Sequence, residues 1–175
     1  QLREFVDAPG YLPVCDLGPD AADHPGAGPA LLVPASVVFV PPSHPVDLRN
    51  HYEWWNFVPG ADWRHPQGPD SSLDGRDDHP VVHVAFADAE AYAQWAGKQI
   101  ATEAEWEYAA RGGKLGKGTK YSGGRSLDNA GWYEANSGGQ TQAVATKNPN
   151  ELGIYDMSGN VWEWCKDWYG YDYYK

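Results

Sequence analysis

Three observations predict an α+β fold for this sequence. Two segments, "FADAEAYAQWAGK" and "TEAEWEYAARGG", carry helical spacing with recognisable start and stop signals. Short apolar pieces such as "PVVH", "QAVAT" and "VWEWC" have the length of strands. Between them lie many of the 20 Gly and 14 Pro, which break the chain into turns and leave little room for long elements. A chain of 175 residues suffices for one domain with its own core, and no internal repeat divides it, so a single domain over 1–175 is expected.

The elements follow in order. "QLREFVDAPGY" opens with Leu2, Phe5 and Val6 at helical spacing, and Pro9-Gly10 stops the pattern. From about 13 to 80 the text is dense in Pro, Gly and Asp. Composition alone suggests a disordered linker, yet Val37, Val38, Phe39, Val40, Trp54, Trp55, Phe57 and Trp63 are too apolar for one. Long ordered loops packed by their own aromatics are expected there. A strand over 81–84 and a helix follow, with Ala89, Tyr92, Ala93, Trp95 and Ala96 on its apolar face and Gly97 at its stop. In the next helix Thr102 and Glu105 form a capping box and Gly112 is a left-handed terminator. The remainder is Gly-rich and aromatic, with strand-like "QAVAT" and "VWEWC" and a turn at "NPNELG".

Nine Trp and eleven Tyr are many for this length, so aromatic rings must supply much of the core. A net charge of -11 argues against nucleic acid and anionic membrane surfaces as partners, because both would be repelled. No apolar run reaches the roughly 20 residues that span a bilayer. No secretory leader is visible either, which gives a cytoplasmic expectation, although the first residue is Gln1. Arg111, Lys114, Lys117, Lys120 and Arg125 form the one basic concentration, read as a solvated loop against a phosphate or carboxylate site. Cys15 and Cys165 are too isolated to define a disulfide framework. They are expected to be separate thiols, with Cys165 buried beside Trp164.

Most catalytic constellations are missing. His79 and His83 lie on one face of an extended segment but about 13 Å apart, too far to chelate one ion. His65 reads as a hydrogen-bonding loop residue. Ser122, Ser126 and Ser158 have no base near them in sequence, and "GGKLGKGTK" lacks the spacing and preceding strand of a phosphate loop. The stretch "DMSGNVWE" is different. Hard cations such as calcium take six to eight oxygens, mixing carboxylates with carbonyls presented by a turn. Asp156 and Glu163 bracket such a turn, with Trp162 and Trp164 available to brace it. The alternative is a plain turn whose acids cap neighbouring amides.

"RDDHPVVHVAFADAEAYAQWAGKQIATEAEWEYAARGG" and "ELGIYDMSGNVWEWCKDWY" together resemble the formylglycine-generating enzyme (sulfatase-modifying factor) family, as does "WWNFVPGADWRHPQGPDSSLDGRDDHP". The match runs essentially end to end, with Ala101 standing where the family usually has Pro. The resemblance implies a formylglycine-generating-enzyme / C-type-lectin-like fold with little regular secondary structure, and structural calcium. Carried over residue by residue, one calcium site takes Asp156, the carbonyls of Gly159 and Val161, and Glu163. A second starts at Asn129 and Ala130 and continues near Asn136 and Gly138, where the family's usual Asp is missing.

The activity implied is conversion of the cysteine in a Cys-x-Pro-x-Arg motif of unfolded sulfatase polypeptide to formylglycine, with molecular oxygen and copper. Two cysteines hold Cu(I) in this family, and neither Cys15 nor Cys165 aligns with them, so no catalytic residue is assigned. The expectation is therefore a copy truncated at both ends, with Trp54, Trp55 and Trp63 as substrate-side residues. The alternative is a non-catalytic ligand- or protein-binding module of the same fold. An iron-dependent sulfoxide synthase with a similar domain needs a His-rich motif that "HPVVHVA" does not supply.

Overall fold

Helix α1 (Leu2–Asp7) turns Phe5 and Val6 inward, where they meet Cys15 and Trp63 to form a small buried cluster. The computed structural model describes residues 1–8, 10–47 and 49–170, with His51 through its backbone alone. Two compact units emerge, one built from Gln1–Asp77 with Val81–Gly97 and the other from Asp78–Pro80 with Lys98–Lys175.

In the first unit the buried cluster is extended by Leu2, Tyr11, Leu73, Ala91 and Tyr92. Rings supply the packing: Phe5 lies 4.6 Å from Tyr11 and meets Tyr92 edge-on at 5.7 Å. Helix α2 (Phe86–Trp95) ends as the sequence requires, with Gly97 at φ 65 where a side chain would be strained. Its start is fixed less visibly. Asp88, 2 % exposed, accepts hydrogen bonds from Tyr11 Oη (2.9 Å), the Val14 amide (3.0 Å) and the Ala85 amide (2.9 Å). Three donors from two distant stretches thus converge on one carboxylate, which caps α2 and ties the chain start to it.

The same unit holds a ribbon that the loop reading of 13–80 did not foresee. Strands β1 (Ala35–Phe39) and β2 (Trp55–Pro59) pair antiparallel, with Val37 opposite Phe57 and Phe39 opposite Trp55. The order expected from the aromatics is present, but part of it is sheet. The strand predicted over 81–84 does not form. His83 adopts φ 59, and its ring bridges Ser36 Oγ at 2.7 Å and the Pro66 carbonyl at 2.9 Å, so side-chain bonds replace a ladder.

In the second unit α3 (Glu103–Ala110) has the predicted cap. Thr102 Oγ1 accepts from the Glu105 amide at 3.2 Å while Glu105 accepts from the Thr102 amide at 2.9 Å. Gly112 is left-handed at φ 84. Two single-turn helices follow, α4 (Leu127–Ala130) and α5 (Glu134–Ser137). "QAVAT" and "VWEWC" are irregular, not strands. Within the first, Ala145 sits at φ 59 and its amide is taken by Asp156, which no extended ladder would allow.

Candidate functional site

The turn at 153–164 is built from side chains that stand in for backbone partners. Asn150, 6 % exposed, lies under it: its Oδ1 accepts from the Leu152 and Ile154 amides, and its Nδ2 donates to the Ala109 carbonyl. Asn160 clamps Gln142 in both directions at 3.0 Å. Ser158 Oγ receives the Ser122 amide at 2.9 Å. Two glycines let separate segments touch: a side chain on Gly159 would strike the Trp132 carbonyl, and one on Gly131 the Ser158 carbonyl.

Within that frame Asp156 is held at φ 60. Its Oδ2 accepts the Ala145 amide at 2.8 Å, while its Oδ1 is buried with no hydrogen-bond partner. An ionised oxygen in that position is costly unless a donor or a cation meets it. This is the observation that fits a cation to the turn. Glu163, at the other end, is exposed and accepts from Trp106 Nε1 at 2.8 Å, which leaves its second oxygen available. Among the described residues no group of three or more His, Cys, Asp or Glu could hold a metal. An ion here would therefore draw on carbonyls such as those of Gly159 and Val161, as calcium does and softer metals do not.

Of the two tryptophans expected to brace the turn, Trp162 does not. Trp162 is 100 % exposed and Trp164 is 55 % exposed. Trp132 does this instead, its carbonyl receiving the Asn160 amide at 2.8 Å, and Trp106 anchors Glu163. Alternating aromatics in sequence do not say which ring packs.

The second set is built differently. The Asn129 carbonyl accepts the Asn148 amide at 2.8 Å, and Ala130 is buried. Asn136 Oδ1 receives the Tyr133 amide and its Nδ2 donates to the Gly131 carbonyl, so its amide is consumed in starting α5. Gly138, at φ 66, ends that helix. No carboxylate belongs to this set, and its polar groups also hold the local turn together.

The three tryptophans expected on the substrate side fall in different settings. Trp63 is 4 % exposed inside the core cluster, Trp54 is half-buried, and Trp55 is exposed on β2. Next to Trp63 the sequence reading missed an organised loop. Asp62 Oδ1 takes the amides of Arg64 and His65, both at 2.6 Å, and the His65 ring lies 3.1 Å away. Arg64 reaches Asp16 at 3.0 Å. An Asp two and three residues ahead of the amides it captures is the available signal. His65 is a loop residue as expected, and His79 bonds Thr141 at 2.9 Å.

Cys15 and Cys165 are free thiols. Burial, with the Asp16, Asp88 and Asp62 carboxylates adding to it against a hydrogen bond from the Trp63 backbone, pushes Cys15 up to about 11. Cys165 is half-buried, not buried as expected, and desolvation with Glu103, Asp167 and Glu163 nearby raises it too. Neither environment favours the thiolate that Cu(I) binding requires. Arg111, Lys114, Lys117, Lys120 and Arg125 are all exposed, with Arg111 paired to Glu107.

Comparison with known proteins agrees with this architecture. A family profile described as sulfatase-modifying factor enzyme 1-like domain matches residues 1–175. A curated formylglycine-generating enzyme of Mycobacterium tuberculosis is 45 % identical over 175 residues, covering 94 % of this chain and 58 % of that protein. An inactive Cα-formylglycine-generating enzyme 2 of Mus musculus is 40 % identical over 133 residues, 70 % of this chain and 43 % of that one. The chain thus spans about half the length of these relatives. The crystal structure of CarF, 22 % identical, superposes with a TM-score of 0.51 over 98 % of this chain and 64 % of that one, which places the fold. The fold is the expected α+β type with little regular secondary structure.

Proposed function

This chain belongs to the sulfatase-modifying factor enzyme 1-like family, and on that premise we propose that it is part of a formylglycine-generating oxidase. Its substrate in this reading is an unfolded sulfatase polypeptide, whose Cys-x-Pro-x-Arg cysteine becomes formylglycine with molecular oxygen and copper. The observation that carries the reading is the 45 % identity to a curated enzyme of that name across 94 % of the chain. Copper would supply oxygen activation. Because neither thiol environment here suits Cu(I), no step of the oxidation is assigned to residues of this chain.

In the same proposal Asp156, Gly159, Val161 and Glu163 hold a structural calcium ion. Support comes from the orphaned Asp156 oxygen and from a turn already shaped by Asn160, Ser158 and Trp132. The ion would tie the turn together and take no part in the oxidation.

The test is incubation of a Cys-x-Pro-x-Arg peptide with copper, oxygen and reductant, followed by mass spectrometry for the mass loss of aldehyde formation. The 175-residue chain alone is expected to be inactive, and a full-length protein containing it active. Turnover by the chain alone would refute the copper assignment. Failure of the full-length protein would favour the second reading, a non-catalytic binding module of this fold. That reading is favoured by one observation, the 40 % identity over 70 % of this chain to a protein named inactive Cα-formylglycine-generating enzyme 2.

A further inference from the structure

The second unit carries its charge unevenly. Residues 111–125 hold Arg111, Lys114, Lys117, Lys120 and Arg125 and no acid, which leaves a net -16 on the rest of the chain (-11 less +5). The segment is ordered by its own backbone. Leu115 and Gly116 donate to the Gly112 and Gly113 carbonyls, and a side chain on Gly116 would strike the Arg111 carbonyl. Thr119 Oγ1 donates to the Tyr121 carbonyl at 2.9 Å. Tyr121 and Gly124 exchange both backbone hydrogen bonds, at 3.0 and 3.1 Å, with Gly123 between them at φ 96.

Local structure accounts for only one end of this charge. Arg111 is paired with Glu107, and Glu151 approaches the backbone at Gly112. Lys114 follows the carbonyl end of α3, where a cation is favoured within about one turn. Lys117, Lys120 and Arg125 have no such partner, since among the described residues no carboxylate pairs with them. Asp128, the next acid along the chain, accepts instead from Tyr133 Oη at 2.6 Å. The Tyr121–Gly124 pair sets Lys120 and Arg125 across from each other at the mouth of one hairpin, where like charges repel. An anion placed between them relieves that repulsion.

We propose that loop 111–125 is a docking site for an acidic polypeptide segment whose carboxylates meet Lys117, Lys120 and Arg125. Charge complementarity selects the sign of the partner, and the rest of the molecule selects its size. A nucleic acid would run past the loop onto an otherwise acidic chain and be repelled there, whereas a short peptide segment need touch only the loop. A second copy of this chain brings -11 with it and is disfavoured for the same reason. Lysines suit carboxylates that arrive in no fixed geometry, because an ammonium is a point charge on a flexible stem. None of the residues proposed for calcium, and none expected on the substrate side, lies in 111–125, so binding here stands apart from the oxidase reading.

The experiment is titration of the protein into a fluorescein-labelled short peptide of alternating Glu and Ser, followed by anisotropy. Saturable binding is expected at about 20 mM salt and should weaken about tenfold at about 200 mM. The same peptide with Gln for Glu should not bind. At about 100 mM salt, where charges are screened beyond about 10 Å, Lys117→Glu and Lys120→Glu should each weaken binding about fivefold. Neither should lower the circular dichroism melt, because each removes a like charge from the loop. Lys98→Glu makes the same change in net charge at an exposed position on the other side of α3, about 12 Å long, and should alter binding less than about twofold. Absence of saturable binding at low salt would overturn the proposal, as would a loss with Lys98→Glu equal to that with Lys120→Glu. So would tighter binding of a single-stranded RNA of the same charge, or a dimer in sedimentation that Lys120→Glu dissociates.

Discussion

Asp88 and Asp156 are two aspartates in the same structural trade with opposite outcomes. Each joins stretches far apart in sequence by accepting backbone hydrogen bonds. Asp88 is saturated, with one oxygen serving Tyr11 and Val14 and the other serving Ala85. Asp156 spends Oδ2 on Ala145 and leaves Oδ1 buried and unmet. A saturated carboxylate is a strut, whereas an unsaturated one in a closed turn has capacity for a cation. Burial therefore does not separate a saturated acid from an unsaturated one, and counting their donors does.

The largest effect expected is at the saturated site. Asp88→Ala leaves three partly buried donors without their acceptor and should destabilise the protein by about 3 to 5 kcal/mol in chemical denaturation. A loss under about 1 kcal/mol would remove the distinction between the two acids. Next comes calcium. An ion that binds only the folded chain should add about 2.7 kcal/mol at 100 times its Kd, reversed by chelator and reduced in Glu163→Gln. A melting temperature indifferent to both would make Asp156 a strut as well.

Asp156→Asn sharpens the contrast. Without calcium it should leave stability unchanged or raise it by under about 1 kcal/mol, since Asn tolerates the left-handed backbone and no charged oxygen is left orphaned. Asp88→Asn should instead destabilise, because an amide nitrogen cannot accept.

The surroundings of Asp88 also set an alkaline limit. Burial first, then the neighbouring carboxylates, raise Cys15 from 9.0 to about 11, and burial with Asp88 raises Tyr11 from 10.0 to about 12. Both groups are held neutral in the fold, so the stability they contribute is present below pH 9 and is lost as pH rises toward 12. Unfolding free energy measured across that range should fall, and Cys15→Ala should flatten the early part of the fall. A cap that shares the same logic on the surface should lose less than Asp88 does: Thr102→Ala should cost about 1 kcal/mol.

What could be read from the sequence was local. The Thr102–Glu105 box, the stops at Gly97 and Gly112, and the helix over Phe86–Trp95 depend on residues a few positions apart. Element spacing indicated the α+β class and the acid-turn-acid layout singled out Asp156 and Glu163, while the family motifs added the lectin-like fold and the carbonyls of Gly159 and Val161. The β1–β2 pairing was not legible, because its strands are joined across a Pro-rich stretch without hairpin chemistry. "QAVAT" misled for the converse reason: it has strand composition, but side chains of Asp156 and Asn160 take the amides of Ala145 and Gln142.

The sequence by itself thus determined α1, α2 and α3, the Thr102–Glu105 cap, the acidic charge and the presence of a turn rich in oxygen donors, all set by neighbours in the chain. Only the tertiary structure decided which acid is saturated, which thiol is buried and which aromatics remain exposed. Trp63 and Trp162 are the same residue type, yet one is in the core and the other is fully exposed. That difference depends on partners tens of residues away, whose arrival is a property of the folded chain and not of any short stretch of it.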